Sequence, residues 1–144
     1  MLPNFNGSRE SKTSGACAGD PASASTQARG AKGEEIARRY LKRRGFKIIE
    51  VNYRTTGGEI DIVAREKDYL VFVEVKASLS KDFDDPLTWI PPRKQDRIVK
   101  AAIVYIKAHR LDLSAVRFDV VTVDAEGEVT HIRDAFRPSE RFFV

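Results

Sequence analysis

At 144 residues the chain suits a single domain with a modest core. Its one cysteine, Cys17, excludes an internal disulfide and counts against a thiolate metal site or a cysteine nucleophile. A composition that is 42% hydrophobic and 32% charged, with a net charge of +4, permits a nucleic-acid partner without requiring one. No apolar run is long enough to cross a bilayer and none follows a basic start as in a secretory leader, so a cytoplasmic protein with no membrane partner is expected.

Residues 7 to 30 are dominated by Gly, Ser, Ala and Thr, with almost no large apolar side chain to offset the entropy of ordering. Residues 1–29 are therefore expected to form a disordered tail, and residues 30–144 the folded domain. From Ala31 to Arg44 the apolar Ile36, Ala37, Tyr40 and Leu41 recur at helical spacing, and Gly45 supplies a stop. Phe46 to Tyr53 reads as a strand, followed by the turn Thr55-Thr56-Gly57-Gly58. Residues 58 to 64 and 69 to 76 are rich in Ile, Val, Phe and Tyr, and Glu66-Lys67-Asp68 can turn between them, which predicts a hairpin and a three-stranded meander. A polar loop with Asp82, Asp84, Asp85 and Pro86 leads to Pro91-Pro92, which suits the opening turn of a second helix running to about His109. Its inward residues are Ile98, Ala101, Ala102, Tyr105 and Ile106. Val116 to Val123 reads as a central strand and Glu128 to Ile132 as a short one after it. The order α-β-β-β-α-β, with a helical crossover before the fourth strand, predicts an α/β fold: a mixed central sheet flanked by helices.

The hairpin carries the chemistry. A loop centred on Lys67-Asp68 sets Asp61 opposite Glu74, Ile62 opposite Val73 and Glu59 opposite Lys76, with opposed Cβ atoms roughly 5 Å apart. Two carboxylates that close repel unless a cation or a proton sits between them, and a divalent metal is the natural occupant. Lys76 follows Glu74 by two residues and so points to the same side of the sheet. The opposite face, Ile60, Ile62, Ala64, Val71, Val73 and Val75, is wholly apolar, which agrees with burial. Arg38, Arg39, Lys42, Arg43, Arg44 and Lys47 form one basic cluster, and Arg93, Lys94, Arg97 and Lys100 another. Either could border the acidic pocket and hold phosphates, or be the solvated face of an amphipathic helix.

A helix, a meander with Asp61 on its second strand and Glu74-Val75-Lys76 on its third, then a helix and a strand, resembles the PD-(D/E)xK restriction-endonuclease-like core. More narrowly, residues 30 to about 138 resemble the uncharacterised YraN-like bacterial family. That family's Gly-x-x-Gly-Glu, Gly-Glu-Ile-Asp and Phe-Val-Glu-Val-Lys patterns stand here as Gly30 to Glu34, Gly58 to Asp61 and Phe72 to Lys76. The architecture is also similar to archaeal Holliday-junction resolvases, which suggests branched or otherwise structured DNA as the partner. The chain departs from the family at Ser78, where an Arg is common, and at Phe83-Asp84, where Phe-Gly is usual.

The resemblance implies a metal-dependent DNA endonuclease, with a non-catalytic nucleic-acid-binding module of the same fold as the alternative. Asp61 and Glu74, helped by a main-chain carbonyl near Val75, would hold Mg²⁺, and Mn²⁺ could substitute; oxygen-only ligation suits such hard cations. Lys76 would orient or help deprotonate the attacking water in an in-line phosphodiester hydrolysis. Glu34 borders the stripe of Ala37 and Leu41 and is either an additional ligand or a first-turn glutamate favoured by the helix macrodipole. Glu59 either pairs with Lys76 across the hairpin or positions it. The resemblance sets Lys94 and Gln95 facing the site from the second helix, and Arg39, Arg43 and Arg97 complete the expected nucleic-acid contacts. A homodimer is left open. Asp119 in a central strand reads as structural, bonded to Arg117 or a loop amide. His109 and His131 read as surface histidines, and Trp89 as a loop anchor.

Overall fold

The computed structural model describes residues 21–77, 90–112 and 115–139. Trp89, Ser78, Phe83-Asp84, Cys17 and the polar loop before Pro91 lie outside the described residues. Helix α1 spans Pro21–Arg43 and so begins earlier than the predicted Ala31, within the stretch expected to be a tail. Residues 1–20 of that expected tail lie outside the described residues. The earlier start has a local cause: proline fits a first helical turn and Pro21-Ala22-Ser23-Ala24 is rich in the best helix former. At the other end Gly45 takes φ +89° and the Phe46 N–H donates to the Leu41 carbonyl at 3.0 Å, closing the helix in a Schellman arrangement.

The strands are β1 (Lys47–Thr55), β2 (Gly58–Glu66), β3 (Tyr69–Ala77), β4 (Val116–Val123) and β5 (Val129–Ile132), with α2 (Pro92–Ala108) between β3 and β4. Among the described residues they form one sheet in the order β1-β2-β3-β4-β5. All neighbours are antiparallel except β3 and β4, which are parallel and are joined through the α2 crossover. The result is a mixed sheet flanked by helices, consistent with a restriction-endonuclease-like core. One bulge interrupts β1, where Ile48 pairs with Ala64 but Glu50 pairs with Val63, leaving Ile49 as the extra residue.

Alternation along β3 and β4 divides the core between two faces. Leu70, Phe72, Phe118 and Val120 pack with Ile98, Ala102 and Tyr105 of α2. Val71, Val73, Val121 and Val123 pack with Ala37 and Leu41 of α1. Both faces of the central strands are thus covered, which explains their nearly continuous apolar sequences. The apolar face predicted for the hairpin holds with one correction: Ile62, Ala64, Val71 and Val73 lie together under α1 with Val75 against them, but Ile60 joins the α2 side with Val63. The β2–β3 ladder ends at Ile62↔Val73, and β2 departs from strict alternation beyond it.

Asp119 is wholly buried and its carboxylate is fully satisfied. It accepts from Arg117 Nε at 2.8 Å, from His131 Nε2 at 2.8 Å and from the Asp134 backbone N–H at 3.0 Å. Arg117 also bonds Glu66, which in turn takes a forked pair of bonds from Arg133. These donors hold Asp119 below the usual carboxylate range despite burial, with His131 and Arg117 contributing most. The structural reading of Asp119 is borne out. His131, however, is not a surface residue: its side chain is only 5% exposed and its ring meets Tyr40 and Phe46 edge-on. Pairing with a buried carboxylate is what draws it in. His109 is exposed, stacked on Tyr105.

Candidate active site

Asp61 sits one residue beyond the last β2–β3 pair, Ile62↔Val73, in line with Glu74. Its Oδ2 accepts the backbone N–H of Val75 at 2.8 Å, so the side chain bridges to β3 where the ladder has ended. The Glu74 carboxylate lies within hydrogen-bonding reach of it. Glu74 projects to the α2 side of the sheet, is 6% exposed, and meets the Lys94 ammonium of α2 at 2.5 Å. Lys76, two residues on, is half-buried in the same cavity, close enough to Lys94 to feel its charge.

This cavity of about 600 Å³ is lined by Glu59, Asp61, Glu74 and Lys76 from the sheet and by Arg93, Lys94, Arg97 and Ile98 from α2. One wall is acidic and the other basic. Burial pushes the Asp61 carboxyl up from 3.8 to about 7, the charge of Glu74 adds to the rise and Glu34 adds less, while the Val75 N–H opposes it. Burial and the neighbouring charge of Lys94 hold Lys76 below the ordinary lysine range. Burial acts the same way on Lys94, but its bond to Glu74 outweighs this and holds it above that range.

A tight backbone contact fixes the two walls relative to each other. A Cβ placed on Gly58, at the start of β2, would collide with the Arg97 carbonyl group. Only glycine lets β2 and α2 approach this closely.

The structure brings Asp61, Glu74, Lys76, Lys94 and Arg97 into one cavity, together with Glu59 and with Arg93 of the basic cluster expected to border it. Glu34 is near enough for its charge to act on Asp61 but does not line the cavity. Among the described residues no group of three or more His, Cys, Asp or Glu side chains converges in the manner of a metal site, so the acids stand as a pair. Val75 reaches Asp61 through its N–H, with its side chain turned to the α1 face. Glu59 pairs with Arg54 at 3.2 Å, not with Lys76. Gln95 bonds the Ile90 carbonyl at 2.8 Å and lines a separate pocket with Asp96, Val99 and Arg137. Arg39 is exposed and paired with Glu35 at 2.7 Å. Both Arg39 and Arg43 belong to α1, across the sheet from α2, and line no part of the cavity.

The family model for uncharacterised protein family UPF0102 matches residues 33–123. The chain belongs to that family. UPF0102 is thus the YraN-like resemblance carried by the glycine, Gly-Glu-Ile-Asp and Phe-Val-Glu-Val-Lys motifs. The chain is similar to a UPF0102 protein of Syntrophus aciditrophicus (strain SB), 44% identical over 110 residues that cover 74% of this chain and 87% of the relative. It is likewise similar to one of Syntrophomonas wolfei subsp. wolfei, 41% identical over 107 residues, covering 72% and 93%. Among solved structures it is similar to Pyrococcus furiosus SfsA in complex with Ca²⁺, at 15% identity and a TM-score of 0.29, over 75% of this chain and 63% of that one. At that TM-score the likeness carries no weight for fold or function. The residues matched by the UPF0102 model include every side chain that lines the mixed-charge cavity. Among the described residues no helix is long and apolar enough to cross a membrane.

Proposed function

We propose that this UPF0102 protein is a Mg²⁺-dependent endonuclease that hydrolyses phosphodiester bonds in DNA, with branched or otherwise structured DNA as its substrate class. The observation that carries the reading is the confrontation of Asp61 and Glu74 in a cavity whose other wall is Arg93, Lys94 and Arg97. The residues fit the metal. A buried carboxyl raised to about 7 beside a second carboxylate is a donor pair that a hard cation stabilises, and Mg²⁺ is commonly held by one or two carboxylates, with water and substrate phosphate completing its shell. Mn²⁺ can replace it. What the ion supplies when bound is positive charge at the scissile phosphate and an easier deprotonation of the attacking water.

The protein's own groups do the rest. Asp61 is steered by the Val75 N–H, which leaves its other oxygen for the cavity. Lys76 orients the attacking water or takes its proton. Arg93 and Arg97, exposed at the mouth, bind the phosphates on either side of the scissile one. The Lys94–Glu74 ion pair favours a second reading, a module that binds DNA without cutting it, since an ammonium already neutralises one of the two acids.

Calorimetric titration with Mn²⁺ and a panel of linear, nicked, flapped and four-way DNA assayed with Mg²⁺ and Mn²⁺ tests both. The endonuclease reading expects one metal site lost in Asp61→Asn, and cleavage lost in Lys76→Ala with DNA affinity kept within a small factor. Salt-dependent binding of branched DNA with no cleavage under either metal would select the second reading.

A further inference from the structure

We propose that Lys94 is an internal counter-ion that occupies Glu74 in the metal-free protein and must leave it when a divalent cation enters, so that metal binding releases an ammonium to the cavity mouth. The inference rests on the Asp61–Glu74 metal reading and adds a regulatory exchange to it. Glu74 is 6% exposed, and a carboxylate so buried needs a partner; Lys94 supplies one at 2.5 Å.

Charge gives the direction of the exchange. A divalent ion on Asp61 and Glu74 would stand against the Lys94 ammonium, a like charge already held on the same Glu74 carboxylate, in a cavity whose other wall carries Arg93 and Arg97. One ammonium has to go. Lys76 extends from β3 among strands, whereas Lys94 extends from the first turn of α2, with a side chain 39% exposed on a flexible stem. Swinging outward, it joins Arg93 and Arg97, where a DNA phosphate would lie. The same side chain thus serves the acid wall before the metal arrives and the substrate wall afterwards.

The test is Mn²⁺ affinity by calorimetry at pH 8.5, without DNA, for the parent, Lys94→Gln and Lys94→Arg, each checked for folding by its thermal melt. Removing the competing charge in Lys94→Gln should tighten Mn²⁺ by about tenfold, while Lys94→Arg stays near the parent. A Lys94→Gln protein that binds Mn²⁺ no tighter than a metal-binding parent overturns the exchange and leaves the metal site standing. A Lys94→Arg protein that tightens as much as Lys94→Gln also overturns it, because charge would not be the cause. If neither parent nor Lys94→Gln takes up Mn²⁺, the Asp61–Glu74 metal reading itself falls and the exchange with it.

Discussion

Asp61 accepts the Val75 backbone N–H at 2.8 Å across the gap where β2 and β3 stop pairing. One carboxylate oxygen thus completes the hydrogen bonding of the sheet while the side chain lines the cavity beside Glu74. The arrangement has an energetic consequence, because the same side chain is half-buried beside Glu74 and its carboxyl is raised from 3.8 to about 7.

That rise is a stability cost at neutral pH. An acid whose folded pKa lies above its unfolded one binds more protons when folded, so its effect on stability worsens as pH climbs from about 4 to about 7 and is complete above that. At about 1.4 kcal/mol per pKa unit, the cost is on the order of a few kcal/mol. Asp61→Asn keeps an oxygen for the Val75 N–H and removes the charge. It should raise the denaturant midpoint at pH 8 and show a flatter pH profile than the parent between pH 4.5 and 7.5. Equal slopes for the two proteins would mean that Asp61 does not titrate in this window.

Asp119 works in the opposite sense. Its folded pKa is depressed by His131 and Arg117, so its stabilisation is present above the unfolded carboxylate pKa and is lost as pH falls through the folded one. Asp119→Ala should cost about 3–5 kcal/mol in urea melts at pH 7, because Arg117 and His131 lose a shared buried partner. It should also remove part of the parent's acid-induced loss of stability. A cost under 1 kcal/mol would show that the network relaxes around the hole.

Gly58→Ala drives a methyl group into the Arg97 carbonyl. Relief requires α2 to move away from β2, at roughly 1–3 kcal/mol for an overpacked contact. The thermal midpoint should drop, and Mn²⁺ affinity should fall although no ligand has changed, since α2 carries the wall opposite Asp61 and Glu74.

The two basic clusters should separate in a salt titration of DNA binding. Replacing Arg93 and Arg97 by Ala should reduce the slope of log affinity against log salt by about one unit per lost phosphate contact. Replacing Arg39 and Arg43 should leave it nearly unchanged, because α1 lies across the sheet from the cavity. The reverse result would move the nucleic-acid surface to α1.

Elements governed by local signals were legible in the sequence. The Lys67-Asp68 turn set the hairpin register that aligns Asp61 with Glu74, and the apolar run Val116 to Val123 is β4 from end to end. What depended on tertiary placement was not legible. Helical periodicity orients α1 on the sheet but does not say which face it covers, so Arg39 and Arg43 were drawn to an acidic pocket on the far side. Counting residues across the hairpin set Glu59 against Lys76, yet the strands part before that point and Glu59 turns to Arg54. His131 has no local feature that announces a buried carboxylate twelve positions earlier in the chain. Gln95 shares a turn of α2 with Lys94, but adjacent helical positions diverge by about 100° and only one of them enters the cavity.

The bulge at Ile49 bears on how this protein avoids self-association. β1 is an end strand of the sheet, with Ile49 and Val51 exposed at 42% and 38%, and a regular strand of that kind would be a template for edge-to-edge growth. One surplus residue breaks the even spacing of outward-facing N–H and C=O groups, and Asn52 in the left-handed region, at φ 52°, distorts the edge further. A second flat strand laid along β1 finds no continuous row of partners. Among the described residues, the free edge of β1 is thus shaped against strand-to-strand pairing.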